Sequence, residues 1–558
     1  MTVLPRHGLP HGASGAVEDL QARIAARAAR TTIALTALAL FAYVLATGTQ
    51  LGMCWDEGLY YPAYRDVASW ARTLLLSPGE ALSGEGIRAG WESVHEFPPL
   101  VKWLGALTLG LAPRGHALLA MRTVPAALFA ATVLMLYVLA RRRVGHPWSC
   151  VVAAGYALHP RLLGHAHFAA SETVMAFLTV LALWVAAGDL EKWGRRLALA
   201  AVGGLALAAK VNGLILVVAL VAWLLLRPWM GRSSGHCWKR DALTALLVAA
   251  LGPLLALAIW PWMWDETGAR LWEYWQFIRE HAHYGVWYLG EKWVLPPGNG
   301  EPVPWHYPLV MTLVASPVAW SLLALAGVAG VARVAWREKR LGEFDLLLLL
   351  LAAGPFAAAM LPSSPRYDGV RLFFPAFVPL TLLAARMPEA LPVRWKEALL
   401  APKPSSRTMA VCAGVALLLA EGFLPGARPG LGFYNLPVRL AAKSGTEFPF
   451  ETTYWTERAT PKVFDDITAF LGTEELRIKT LALDGVVFDI QQEWGHIPAG
   501  IQFNGEPPYD AHLMQNRKGF WSRTEWWFAA NREPLLVWPP GSENPDFYLF
   551  DGRPPGVR

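Results

Sequence analysis

Apolar runs of membrane-spanning length recur along this chain, near residues 31–50, 117–140, 148–163, 173–188, 197–209, 212–226, 242–263, 307–332, 345–361, 372–386 and 408–424. A spanning helix needs about 20 mainly apolar residues, because backbone N–H and C=O groups find no outside partner in hydrocarbon. The pattern therefore predicts a mainly α, polytopic membrane protein with about eleven spans. Hydrophobic residues at 54% against charged residues at 16%, over 558 positions, are what such a chain requires. The formal net charge of +6 does not describe a nucleic-acid-binding face, since Lys and Arg lie between the apolar runs. Cys54, Cys150, Cys237 and Cys412 are far apart and lack CxxC spacing, which excludes a disulfide framework or a thiolate zinc site as the organising element.

Basic residues set the expected orientation. Arg141-Arg142-Arg143, Lys192 with Arg195 and Arg196, Arg227 through Arg240, Arg333 through Arg340 and Arg386 through Arg407 fall on one side of the assigned spans, the cytoplasmic side by the positive-inside rule. Residues 1–30, with RIAARAAR before the first run, read as a cytoplasmic segment followed by an uncleaved span, because the run is longer than a signal-peptide core and no A-x-A site follows. The outer side then receives the loop 51–116, HPRLLGHAHFAASE, the loop 264–306, PSSPRYDGVR and everything after Phe423. The expected organisation is a membrane domain over 31–424 and an outer domain over 425–558 joined by the proline-rich LPGARPGLGFYNLP. In that outer part LRIKTLALDG, REPLLVWPP and DFYLFDG read as strands and PKVFDDITAFLG as a helix, which makes a small α/β unit.

Chemistry is expected first in the loop 51–116. Acidic residues beside a bilayer are expensive, and Asp56 and Glu57 follow the first span directly. A carboxylate at the rim of a partly dehydrated cavity has a raised proton affinity and can take a proton from an attacking hydroxyl, which makes Asp56 the first choice for a general base. The same pair could instead cap the helix or bind headgroups. The segment WESVHEFPPLVKWLGALTLGL is too interrupted to span and reads as an interfacial helix anchored by Trp91 and Trp103, with Lys102 in reach of lipid phosphate.

The order of these features resembles a known superfamily. An acidic pair after the first span, then Pro98-Pro99-Leu100, then Arg122 in AMRTVPAALFAATVLMLYVLARR is similar to the GT-C glycosyltransferases of the protein O-mannosyltransferase and aminoarabinose transferase type. PRLLGHAHFAASETVMAFLTVLALW, LALAAKVNGLILV, GVWYLGEKW, PWHYPLVMTLVASP and RYDGVRLFFPAFVPL extend the likeness to its bacterial branch, over roughly residues 30–390. Two departures stand out: Phe97 precedes Pro-Pro where a histidine is usual, with His95 two positions earlier, and Glu172 stands where an aspartate is common.

The resemblance implies a GT-C helical core in a bacterial inner membrane. It further implies inverting transfer of a sugar from a polyprenyl-phosphate carrier to a glycan, lipid or protein acceptor on the periplasmic face. Asp56 is then the base and Glu57 its companion, with Glu96 beside the Pro-Pro turn. The departing lipid phosphate calls for permanent cations, and Arg122, Arg366 and Arg371 are the expected ligands, with Lys102 and Lys210 behind them. Arg366 and Arg371 could equally be headgroup contacts, and Lys210 a residue snorkelling at a helix end. His95, Glu172, Trp305, His306 and Tyr307 are expected to line the substrate cavity, where aromatic faces pack on a sugar ring. No cofactor is required on this reading. The H-x-H spacings of His165 and His167 near Glu172, and of His281 and His283 near Glu280, leave a divalent metal as a lesser alternative. Tyr434-Asn435, Tyr454-Trp455 and Asp465-Asp466 mark the outer domain without an assigned role. A transporter or flippase of lipid-linked sugars is the rival reading, although such a protein should carry internal repeats and broken helices near mid-membrane; a non-catalytic lipid sensor is a third.

Overall fold

The computed structural model describes residues 31–552 apart from 113–115, 231–237, 282, 294–301, 402–404, 424–429, 443–446, 484 and 543. The expected cytoplasmic segment 1–30, Cys237 and part of the proline-rich linker lie outside the described residues. Among the described residues seven helices are long and apolar enough to cross a membrane: Thr31–Gly48, Ala117–Arg141, Trp238–Ala258, Val318–Glu338, Glu343–Met360, Arg371–Ala390 and Ser406–Phe423. Ser171–Ala186 and Gly213–Trp229 are shorter apolar helices, as is Pro99–Leu111. The run expected at 307–332 is two helices, Tyr307–Val314 and Val318–Glu338, because Pro317 stands at the N-cap of the second.

Leu246, Leu254, Leu322, Leu325, Leu417 and Leu418 point outward on these helices, as side chains do when hydrocarbon is the solvent. Inside the bundle small residues let backbones touch: a Cβ on Gly204 would lie 2.7 Å from the Gly252 carbonyl, where Trp193–Ala209 crosses Trp238–Ala258. The basic segments meet at one end. Arg143 and Arg386 share Asp345, Arg227 pairs with Glu343 at 2.8 Å, and Arg240 with Glu191 at 2.8 Å.

A sheet-containing tail covers the other end. Its strands, after the hairpin β1 (Val286–Tyr288) and β2 (Glu291–Trp293) of the preceding part, are β3 (Leu476–Leu481), β4 (Ile501–Phe503), β5 (Ala511–Gln515), β6 (Leu536–Trp538) and β7 (Phe547–Asp551). Their order is β4-β3-β5-β7-β6, with β3 parallel to both β4 and β5 and the β5, β7 and β6 pairings antiparallel. The tail seats on the chain just after the first span. Gly52 donates to the Glu457 carbonyl at 2.9 Å, Thr456 Oγ1 donates to the Met53 carbonyl at 2.7 Å, and Trp494 meets the Tyr61 ring edge-on at 4.8 Å. Gly58 permits this seating, since a Cβ there would fall 2.7 Å from Val487 Cγ1.

Candidate active site

Helix Trp55–Leu76 starts immediately beyond the first span, and its first turn carries Asp56 and Glu57, where carboxylates complement the positive end of the helix dipole. Successive residues on an α-helix diverge by about 100°, so the two acids face different surroundings. Glu57 faces the protein. Its carboxylate accepts from Arg122 Nε at 2.8 Å and Nη2 at 2.6 Å, from the Cys54 N–H at 3.0 Å and from the Ala169 N–H at 3.1 Å. Arg122 also donates to the carbonyls of Gly48, Leu51 and Gly52, which uses all five of its N–H groups. The expected phosphate contact of Arg122 and the catalytic partnership of Glu57 are therefore corrected: a fully buried pair clips the first span to the helix that follows it.

Asp56 faces a cavity of about 1140 Å3. It is ion-paired with Arg371, which also donates to Glu172 at 2.9 Å and Asp368 at 3.1 Å and lies over the Trp455 ring at 5.0 Å. Lys210, at the end of helix Trp193–Ala209, donates to the same Glu172 Oε1 at 2.6 Å, while Glu172 Oε2 is buried without a hydrogen-bond partner among the described residues. Asp56, Lys210, Asp368 and Arg371 all reach the cavity wall. The turn before Arg371 is built by left-handed backbone at Asp368 (φ 55°) and Gly369 (φ 63°). Glycine suits the second position, where a Cβ would meet Arg161 Nη1 at 2.9 Å. Burial pushes the Asp56 carboxyl up to about 6, against the pull of Arg371. An anion held at Lys210 and Arg371 beside a carboxylate with that proton affinity is the chemistry the arrangement offers.

The other expected residues are placed as follows. Glu96 lines the cavity together with Phe97 and Pro98. His95 turns aside, stacking over Trp262 at 4.7 Å and meeting Glu273 Oε1 at 3.2 Å. Lys102 is buried and donates to the carbonyls of Val94 at 2.7 Å and Ser93 at 3.3 Å, so it holds the loop before the Pro-Pro turn rather than a lipid phosphate. Arg366 is likewise spent, on the carbonyls of Ala359, Val303 and Leu361. Trp305 is exposed, His306 bonds Tyr288 Oη at 2.9 Å, and the buried Tyr307 hydroxyl accepts from Gly369 N–H at 3.0 Å. Tyr307 thus supports the turn before Arg371, and none of the three is among the residues lining the cavity. His165 and His167 diverge, one to Tyr454 Oη at 3.1 Å and the other to Thr47 Oγ1 at 2.8 Å. His281 lines the cavity and bonds Tyr367 Oη at 2.9 Å. Among the described residues no three His, Cys, Asp or Glu side chains gather as a metal site would need.

Sequence reasoning missed Asp368 and Arg517. Asp368 Oδ1 accepts from Arg517 Nη2 at 2.7 Å, and Arg517 Nη1 donates to the Tyr454 carbonyl at 2.5 Å, so the tail closes one wall of the cavity. The Asp-Gly turn signal beside Arg371 marked the first; nothing local marked the second.

The fold and the site define a polytopic membrane protein with a buried carboxylate–guanidinium centre under the sheet-containing tail. Residues 96–262 match the profile of the family described as dolichyl-phosphate-mannose-protein mannosyltransferase. The chain is 28% identical over 334 residues to an undecaprenyl phosphate-alpha-4-amino-4-deoxy-L-arabinose arabinosyl transferase of Pseudomonas aeruginosa strain UCBPP-PA14, covering 59% of this chain and 55% of that protein. It is 26% identical over 334 residues to a second such transferase, of Pseudomonas fluorescens strain Pf-5, with the same coverage. The chain thus spans about half the length of the curated relatives it matches. Among solved structures, ArnT from Cupriavidus metallidurans bound to undecaprenyl phosphate aligns with a TM-score of 0.47 at 17% identity, over 95% of this chain and 100% of that one. In sequence this chain resembles the GT-C membrane glycosyltransferases, on their bacterial aminoarabinose transferase side.

Proposed function

We propose that the protein is an inverting glycosyltransferase of a bacterial inner membrane that moves a sugar from a polyprenyl-phosphate carrier to a hydroxyl acceptor at the periplasmic face. One observation carries the reading. A single arginine, Arg371, joins Asp56 and Asp368 on the wall of one cavity to the buried Glu172 behind it, so a proton acceptor and an anion receiver stand side by side.

In the proposed reaction the carrier's phosphodiester lies against Lys210 and Arg371, and the acceptor hydroxyl approaches the anomeric carbon from the opposite face of the sugar. Asp56 takes the hydroxyl proton as the new C–O bond forms. The bond between the anomeric carbon and the phosphate oxygen breaks, its electron pair stays on that oxygen, and polyprenyl monophosphate leaves with one more negative charge than the donor had. Lys210 and Arg371 receive that charge, and Glu172 positions both cations. The end of the bundle that carries Arg143, Arg227, Arg240 and Arg386 is then the cytoplasmic end, with the cavity and the tail outside.

The test uses purified full-length protein in lipid nanodiscs, with polyprenyl-phosphate-linked mannose and aminoarabinose as donors and a membrane-lipid extract as acceptor. Asp56→Asn should bind polyprenyl phosphate as the parent does and lose about 10²–10⁴-fold in transfer. Unimpaired transfer by that variant would remove Asp56 as the base, and absence of polyprenyl phosphate binding by the parent would remove the reading as a whole.

A further inference from the structure

The cavity spans two parts of the fold. Ligand pockets run to about 300–1,000 Å3, and this one reaches about 1140 Å3 by continuing from the membrane helices into the tail. The tail contributes a particular part of itself. Lys479 and Thr480 near the end of β3, Leu483 just past it, Asn504 after β4, and Gln515 and Arg517 at and after the end of β5 all line the cavity.

These are the carboxyl ends of three parallel strands. From β3 the chain passes through helix Val486–Glu493 to β4 on one side, then returns to place β5 on the other side of β3. The connections leaving β3 and β5 therefore diverge, and a crevice opens outside the carboxyl ends between them. In open α/β sheets this switch point is where ligands bind.

The side chains there are unequal. Asn504 and Thr480 satisfy one another, with Asn504 Nδ2 donating to Thr480 Oγ1 at 2.8 Å and Asn504 Oδ1 accepting from the Thr480 N–H at 3.0 Å. Arg517 is committed to Asp368 and the Tyr454 carbonyl. The carboxylate of Glu525, on the same wall, is held by the N–H of Ser522 at 2.6 Å. Lys479 is different: among the described residues no carboxylate lies in ion-pair range of it, and its ammonium stands 5.9 Å over the Tyr509 ring. It is the tail's unspent cation on the cavity wall.

We propose that this crevice is the acceptor subsite and that Lys479 recognises an anionic group, a phosphate or a carboxylate, on a hydroxyl-bearing acceptor headgroup. The assignment rests on the transfer reading above, in which the membrane end of the same cavity holds the donor. Full-length protein in nanodiscs is titrated with glucosamine 1-phosphate, glucuronate and glucose, and separately with undecaprenyl phosphate. A saturable response to one of the two sugar anions and none to glucose is expected, and which anion responds distinguishes a phosphate from a carboxylate on the acceptor. Lys479→Met should weaken that response about tenfold, the size of one charge-assisted hydrogen bond, and Lys479→Arg should restore it. Undecaprenyl phosphate affinity should be the same in Lys479→Met as in the parent, whereas Arg371→Ala should lose it.

Equal binding by Lys479→Met, binding of glucose as tight as that of the anions, or no saturation by either anion overturns the subsite. Competition between the sugar anion and undecaprenyl phosphate also overturns it, because the two would then share Arg371. If the parent binds a sugar anion through Lys479 but not undecaprenyl phosphate, the transfer reading falls and the anion site stands.

Discussion

Asp368 divides its carboxylate between two arginines: Oδ2 accepts from Arg371 at 3.1 Å and Oδ1 from Arg517 of the tail at 2.7 Å. The group that orients the central cation is thus also the tie between tail and membrane helices. Replacing it with asparagine leaves two buried guanidiniums short of a counter-charge, a change that costs about 3–5 kcal/mol where a buried pair is broken. Asp368→Asn should lower the melting temperature in detergent and reduce transfer, while Arg517→Lys, which keeps the charge, should lose less of both. Melting temperatures and transfer rates of the two variants check this together; an Asp368→Asn protein as stable and active as the parent rules out the tie.

The proton affinity of Asp56 gives transfer a pH dependence with a definite sign. A base works deprotonated, and burial holds this carboxyl at about 6, above its ordinary 3.8. Transfer should therefore rise with pH through about 6 and level off above it, falling about tenfold per unit on the acid side. A rate–pH profile between 4.5 and 8 measures the midpoint, and a profile flat down to pH 4.5 excludes Asp56 from the proton step.

The Glu57–Arg122 pair predicts instability rather than altered chemistry. Arg122→Ala strands a buried carboxylate and frees three backbone carbonyls, which should cost about 3–5 kcal/mol. Arg122→Lys should rescue little, because an ammonium cannot match two carboxylate oxygens and three carbonyls at once. Folded yield and thermal unfolding of both variants are the readout. Whatever fraction folds should bind polyprenyl phosphate with parental affinity.

Glu451 adds a pH-dependent contribution to tail stability. Burial raises its carboxyl from 4.5 to about 7, against the pull of Arg517. The folded state then holds a proton that the unfolded state has released across that interval, so stability falls as pH rises from about 4.5 to about 7. At 1.36 kcal/mol per unit the loss amounts to ~3 kcal/mol at most. Glu451→Gln should flatten the dependence of melting temperature on pH over this range; a parent protein with no such slope shows that Glu451 is not protonated in the fold.

Much of this was legible in the chain. Spanning helices follow from run length, and the grouping of Arg143, Arg227, Arg240 and Arg386 at one end follows from the spacing of basic residues between runs. Asp56 was picked out by charge beside apolar sequence, Glu96 and Arg371 by the family resemblance, and all three reach the cavity. Arg122 and Arg366, expected from the same resemblance, and Lys102, expected from the interfacial helix, are spent on buried carbonyls and a buried carboxylate. Charge beside a membrane announces that a side chain needs partners, and a backbone carbonyl satisfies it as well as a substrate phosphate.

The sequence by itself determined that this protein spans a membrane, where its acids and bases are concentrated, and that its last part is a mixed α/β unit, because these depend on local hydrophobicity and period. Only the tertiary structure decided which of two adjacent carboxylates faces the cavity and which arginine meets it. Asp56 and Arg371 are 315 residues apart in the chain, and the approach of groups so distant is set by how helices pack and where the tail seats, which no local pattern encodes.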